Sequence, residues 1–471
     1  MASLDRSMRY AVVLASLALG ALEITALQGC ADSIGSASAT VANECAAPSG
    51  APIEHAGFLA SDETWGPGLH HVRSNVEVRT GVTLTIAPCA VVRLDENASI
   101  TVNADAKALH AHGTPTNPIV VEREDAGKAW GNLAVYAPAS LDLAYVTLRG
   151  GGTTSTPANA DFVGATLVSR NQQGAPHDVL AVDHVTVENS NALGVFLDST
   201  GFAAGSTDLT VTGAGSYPVY LGAAFATNLP KGVYAPNGKA AFLLQSCGPA
   251  AYLSDNPVLQ DATIPERGLP FLVGENADTS IDVGDGRTEH GAATLTIEPG
   301  VELRFGGPNT TAKIRVRAHN VGGISTPQGT LVARGTAEKP IVFTSQNKTP
   351  AAGDWMGIYL ESGITSAAAI DHAVVEFAGG ESTSTGTCVS TVGASNYDAD
   401  CSVVLWFDAA PPRSFITNTT IRNGKGCGVY RAWKGADVDF TATNTFTALT
   451  GCTQSNVQST SGACDTAGAC R

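Results

Sequence analysis

Thr294-Leu295-Thr296-Ile297-Glu298-Pro299-Gly300 repeats, 211 residues downstream, the stretch Thr83-Leu84-Thr85-Ile86-Ala87-Pro88-Cys89. Both alternate threonine with an aliphatic residue, the period of a strand with one face buried, and both end at a proline-containing turn. Working outward, Gly113-Thr114-Pro115-Thr116-Asn117-Pro118-Ile119-Val120 returns as Gly335-Thr336-Ala337-Glu338-Lys339-Pro340-Ile341-Val342, at an offset of 222. Trp130-Gly131 matches Trp355-Met356-Gly357, and His184 to Phe196 matches Asn418 to Tyr430 at an offset of 234. The order is kept while the offset grows, which predicts one long module duplicated in tandem, with insertions in the second copy.

The rest of the chain agrees with an all-β body. Short Val/Ile/Leu/Thr runs such as Val91 to Leu94, Ser99 to Val102, Val179 to Val182 and Val195 to Leu197 recur between Gly, Pro, Asn and Asp clusters. No stretch after residue 60 holds a 3.6-residue apolar period. With 44% hydrophobic residues the chain is too apolar to be disordered, and a net charge of −16 argues against nucleic acid as a partner.

The repeated markers resemble those of bacterial right-handed parallel β-helix lipoproteins, on the pectate-lyase-like scaffold. The likeness is carried by Leu295 to Gly300, Gly335 to Ser345 and Gly353-Asp354-Trp355-Met356-Gly357-Ile358. It implies an all-β, right-handed parallel β-helix of two tandem modules, in which alternate residues of stacked strands face a narrow core. With the 20 to 25 residues per coil that the resemblance implies, the body would hold roughly 16 to 19 coils, closed at its ends by strands near Trp65 and by the cysteine-containing tail.

The amino terminus reads as a targeting segment. Arg6 and Arg9 precede an apolar run from Tyr10 to Leu22, too short to span a membrane, and Leu27-Gln28-Gly29-Cys30 resembles a lipobox. That resemblance implies lipidation of Cys30 and anchoring at the outer membrane or cell surface, since Ala31 is not the aspartate of inner-membrane retention. The expected organisation is a signal peptide over 1–30, an Ala/Ser-rich tether over 31–58, a first module over 59–255, a second over 256–450 and a tail over 451–471.

Ten cysteines are present, and removal of Cys30 from the count leaves an odd number. Cys388 with Cys401, and Cys464 with Cys470, are the expected disulfides. Cys427 is open to a buried thiol or to pairing with Cys452, and Cys89 to pairing with Cys45 or Cys247. None has the CxxC spacing of a zinc knuckle.

Candidate chemistry is sparse. His110 and His112 would share a strand face, a spacing able to hold a metal, although the second copy has Val332 and Arg334 there. His70-His71, Asp183-His184 and Asp371-His372 are adjacent pairs, and adjacent strand residues point to opposite faces, which speaks against joint work. Asp282 and Asp285 could offer oxygens to Ca2+, but the loop lacks a full calcium-binding series, and Asp398 with Asp400 is a similar pair. Arg315 and Arg317 would form a small basic stripe able to receive an acidic polymer. Trp130 and Trp355 suit sugar stacking or, more simply, a repeated packing role. These residues favour a non-catalytic surface or envelope protein contacting a polysaccharide or a surface protein. The alternatives are a polysaccharide lyase or glycoside hydrolase on the same scaffold and an architectural envelope spacer.

Overall fold

The computed structural model describes residues 43–153, 164–171, 178–245, 255–275, 279–287, 291–307, 309–321, 324–380 and 400–457. All of them belong to one compact unit. Strands dominate, and the helical exception among the described residues is the single 3-10 turn Ala223–Phe225. With the exception of the hairpin Ala318–Val321 against Ile324–Pro327, every paired strand runs parallel to its neighbours. Parallel strands joined by successive coils, wound in the right-handed sense that strand twist imposes, form the β-helix expected from the sequence.

The alternation seen in the sequence sets which side chains enter the coil. In Thr83–Ile86, Leu84 and Ile86 are buried while both threonines are half-exposed. Ala90–Leu94 and Ile100–Val102 repeat that pattern with Val92, Leu94, Ile100 and Val102. Each such Val, Leu or Ile contributes about 1.5–3 kcal/mol on leaving water. Backbone groups meanwhile pair with the coils above and below, so the narrow core carries few polar atoms that need other partners.

One column of strands runs unbroken through 14 members, from Ile53–Leu59 to Thr445–Thr447. This is fewer than the 16 to 19 coils expected. The difference lies in coil length, which ranges from 19 residues between Gly57 and Val76 to 46 between Val374 and Thr420. Insertions leave the sheets and return, so they add residues without adding coils.

Corners are made by residues in the left-handed backbone region, and they come in pairs five apart. Tyr145 and Gly150, His184 and Asn189, Asp208 and Gly213, His372 and Phe377, and Asn418 and Asn423 all have positive φ. Between the members of each pair lies a short extended run, as in Val146 to Arg149 and Val185 to Glu188, which stack in register. Glycine and asparagine enter this region cheaply, whereas Tyr145, His184, His372 and Phe377 hold it against a steric cost.

Several expected boundaries shift. Ile53–Leu59 crosses the end of the stretch expected as a tether, 31–58, and is a strand paired with Gly68–Val78. The boundary expected between residues 255 and 256 falls inside the strand Asp255–Val258, and Phe242–Leu244 pairs directly with Phe271–Val273 across it. The chain from 451 to 457 is part of the last coil, where Gln454 bridges to Val429 and accepts the Phe440 N–H at 3.0 Å.

Both ends of the core are closed by aromatic groups. Trp65 is buried and stacks on His55 with centroids 4.0 Å apart, as expected of a cap. At the other end Phe407, Phe415, Trp433 and Phe440 form a buried cluster. The guanidinium of Arg431, also buried, is held there by Asp437 and by the carbonyls of Val438 and Ser455. The tail cysteines Cys464 and Cys470 lie outside the described residues, as does Cys30. Among the described residues no helix is long and apolar enough to cross a membrane.

Candidate functional site

Two groups of histidine and aspartate side chains stand along one corner of the coils. His110 and His112 leave the strand Ala108–His112 on the same side, and Asp142 sits opposite His110 in the next coil. Asp142 Oδ2 is 2.8 Å from His112 Nε2 and 3.7 Å from His110 Nδ1. All three side chains are about half-exposed.

Two coils further on, the same corner holds Asp183, His184 and Asp208. The reading that Asp183 and His184 point apart is overturned here, because the left-handed φ of +53° at His184 breaks strand alternation. The imidazole reaches Asp183 Oδ1 with Nδ1 at 2.7 Å and Asp208 Oδ2 with Nε2 at 3.3 Å. Asp371 and His372 are brought together in the same way, with φ of +48° at His372 and Nδ1 3.3 Å from Asp371 Oδ2. Burial would raise the pKa of Asp371, but hydrogen bonds from Thr417, Asn418 and His372 outweigh it and hold the carboxyl below the ordinary value. By contrast His70 and His71 do point apart. His70 is buried against Trp65, and His71 is turned outward between Glu54 and Asp95.

Beside this corner an outer face carries charges of alternating sign in successive coils. Arg93 meets Glu122 at 3.1 Å, Glu122 meets Arg149 at 3.2 Å, and Arg149 is bonded to Glu188. In parallel sheets, like positions of consecutive coils stack directly, so alternation of sign turns repulsion into a ladder of pairs. The bond to Glu188 raises the pKa of Arg149 and fixes its positive charge. Arg123 reaches across to the carbonyl of Asn189 at 3.1 Å. Together Arg93, Glu122, Arg123, Glu124, Arg149 and Asn189 line an open depression of about 470 Å³.

The remaining sequence candidates resolve into pairs. Arg315 and Arg317 do share a face, but the stripe is neutralised, because Arg315 bonds Glu361 at 2.7 Å and Arg317 bonds Asp282 at 3.1 Å. Asp282 is thereby turned to an arginine, while Asp285 accepts the Arg287 N–H at 2.9 Å, so the two aspartates do not converge on a calcium position. Asp400 is buried against Lys425 at 3.0 Å, and Asp398 is outside the described residues. Trp130 and Trp355 are completely buried and donate their indole N–H groups to the carbonyls of Arg149 and Glu376 at 2.8 and 2.9 Å, so both pack within coils and neither offers a sugar platform.

Cys401 pairs with Cys427, correcting the expected bond to Cys388, which lies outside the described residues. The two cysteines are in register on adjacent coils. Cys427 is therefore neither a free thiol nor the partner of Cys452, which is itself in a disulfide. Of the two partners open to Cys89, it takes Cys45.

Residues 284–398 match the pectate-lyase like beta helix domain. The chain is a parallel β-helix repeat protein. A search of curated proteins finds no match. In this β-helix protein the residues that sequence reasoning missed are Tyr145, Asp142 and Asp208 at the corner and the Arg93–Glu122–Arg149–Glu188 ladder on the face. A recurring charge at one coil position was the available signal for the ladder, but reading it requires coil lengths that vary too much to be assigned in advance.

Proposed function

We propose that this β-helix protein works outside the cytoplasm as a non-catalytic binding or adhesion protein, tethered to a membrane by a lipid on Cys30. The observation that carries the reading is the pairing of charges on the outer face, where Arg93, Glu122, Arg149 and Glu188 alternate in sign across successive coils. The hydrogen bond to Glu188 raises the pKa of Arg149, so its guanidinium stands on this face as a charged donor and not as a proton-abstracting base. Charges held in such pairs suit a surface built for contact. The disulfides Cys45–Cys89 and Cys401–Cys427 support an oxidising compartment. The depression mixes the guanidiniums of Arg93, Arg123 and Arg149 with the carboxylates of Glu122 and Glu124, so it offers both donors and acceptors to a polysaccharide or to a surface protein.

One observation favours a second reading, a polysaccharide lyase or glycoside hydrolase. His184 contacts both Asp183 and Asp208, and all three side chains are about half-exposed, as an acid–base group would be. Incubating the full chain with acidic and neutral polysaccharides, with and without calcium, separates the two. Retention without shortening is expected; shortening that disappears in Asp183→Asn or His184→Gln would overturn the non-catalytic reading. Neither retention nor shortening would leave protein contact or an architectural spacer. Mass analysis of the mature amino-terminal peptide checks the anchor, with a diacylglyceryl-modified Cys30 expected.

A further inference from the structure

The lower part of the corner has a donor set that a binding face of paired charges does not require. His110 and His112 are two apart on one strand, so their rings project side by side, with centroids 5.8 Å apart. Asp142 enters from the next coil, and one ligand atom from each of the three residues lies within 4.8 Å of the other two. Donors bound to one dication at about 2.0–2.2 Å stand roughly 3–3.5 Å from each other. The separations of 2.8 and 3.7 Å from Asp142 Oδ2 bracket that range. Small rotations of three half-exposed side chains suffice to place them around an ion, with no backbone movement.

The geometry points to a divalent transition-metal site formed by His110 Nδ1, His112 Nε2 and Asp142 Oδ2. Two imidazoles and a carboxylate are the donors preferred by zinc and its borderline neighbours, whereas calcium takes six or more oxygens. Three protein ligands on an exposed edge leave at least one coordination position for water or for an anionic group of a bound molecule. The ligands come from two adjacent coils in strict register, so the strands pre-position them and little ordering entropy opposes binding.

The neighbouring trio does not share this property. Asp183, His184 and Asp208 also cluster, but His184 turns Nδ1 to one carboxylate and Nε2 to the other. An ion on one nitrogen is directed away from the second carboxylate. In the later half of the chain, Val332 and Arg334 stand at the positions matching His110 and His112, and Arg334 is a cation where a ligand would be needed.

The test uses the full chain, produced without a polyhistidine tag and stripped with a chelator. Calorimetric titration with Zn2+ measures affinity and stoichiometry, and Co2+ in its place reports ligand field through visible absorption. The wild-type chain is expected to bind an ion with visible Co2+ bands. His110→Ala and His112→Ala should each weaken Zn2+ binding at least tenfold, and Asp142→Asn severalfold, while His71→Gln leaves it within twofold. Circular dichroism and a thermal melt check that each variant is folded, which the exposure of these side chains favours. Absence of Zn2+ binding by the wild-type chain would overturn the proposal. So would unchanged affinity in the His110→Ala/His112→Ala double variant, or binding that depends on His184 and not on His110.

Discussion

The imidazole of His184 lies flat on the phenol ring of Tyr145 one coil away, with centroids 4.5 Å apart and planes within 14° of parallel. Both residues are left-handed corners, with φ of +53° and +50°. The stack recovers about 0.5–1.5 kcal/mol, part of the cost of about 1–2 kcal/mol for placing each non-glycine residue in that region. Two strained corners thus support each other through their side chains.

This balance predicts an order of stabilities. His184→Ala loses the ring and keeps the backbone cost, so it should be less stable than wild type by about 1 kcal/mol. His184→Gly loses the ring and the cost together, and should exceed the alanine variant by about 1 kcal/mol. Denaturant midpoints of the three proteins check the order; an alanine variant equal to or above the glycine variant contradicts the account.

Trp355 is completely buried, stacks on Phe305 at 4.5 Å and donates to the Glu376 carbonyl. Trp355→Ala should cost about 3–5 kcal/mol through lost burial and the cavity left behind. Trp355→Phe retains a ring against Phe305 but deprives a buried carbonyl of its donor, costing about 1–3 kcal/mol. Because a solenoid couples mainly neighbouring coils, hydrogen exchange should accelerate first in Glu302–Phe305 and Gly357–Ser362.

These cases show which features a sequence of this kind exposes. Inward residues such as Leu84 and Ile86 are legible because burial follows the two-residue period of the strand itself. His70 and His71 were readable for the same reason. Asp183 and His184 were not, because nothing in a histidine announces a left-handed corner, and one such residue cancels the alternation on which the reading depended. Arg315 and Arg317 were correctly placed on one face, but Glu361 and Asp282, which neutralise them, are supplied by adjacent coils 46 and 35 residues away. Their approach depends on coil lengths set by insertions, which no local pattern reveals.

Cysteine pairing follows the same geometry. Cys388 is nearer to Cys401 in sequence, yet the register of the sheet places Cys427 directly opposite, 26 residues on. Cleavage under non-reducing conditions should yield linked peptides containing Cys401 with Cys427 and Cys45 with Cys89. Replacing both Cys401 and Cys427 by serine should lower stability by about 2–4 kcal/mol, the range for closing a loop of this size. A Cys388–Cys401 peptide in the digest would contradict the assignment.

The first coil should respond to pH through two histidines of opposite sign. His71 is partly desolvated, which lowers its pKa, but hydrogen bonds to Asp95 and Glu54 prevail and raise it above the ordinary 6.5. Its contribution is therefore complete below about pH 6.5 and is lost as pH rises through the elevated folded value. His55 is half-buried between Trp65 and His70, and burial, followed by repulsion from His70, lowers its pKa against the opposing pull of Glu63 and Glu54. Its contribution is present above pH 6.5 and is lost as pH falls toward the depressed folded value. Glu54 lies on the strand Ile53–Leu59 and is further held by Arg73 at 2.6 Å, so both effects act on how firmly that strand stays docked. Amide exchange of Ile53–Leu59 between pH 5 and 7, corrected for intrinsic rates, separates them. His55→Phe should make protection rise on acidification relative to wild type, because the acid-sensitive ring is gone. His71→Gln should make protection fall more steeply on acidification, because the favourable protonation is gone. Equal pH slopes in the two variants would show that neither ring controls the docking of the first strand.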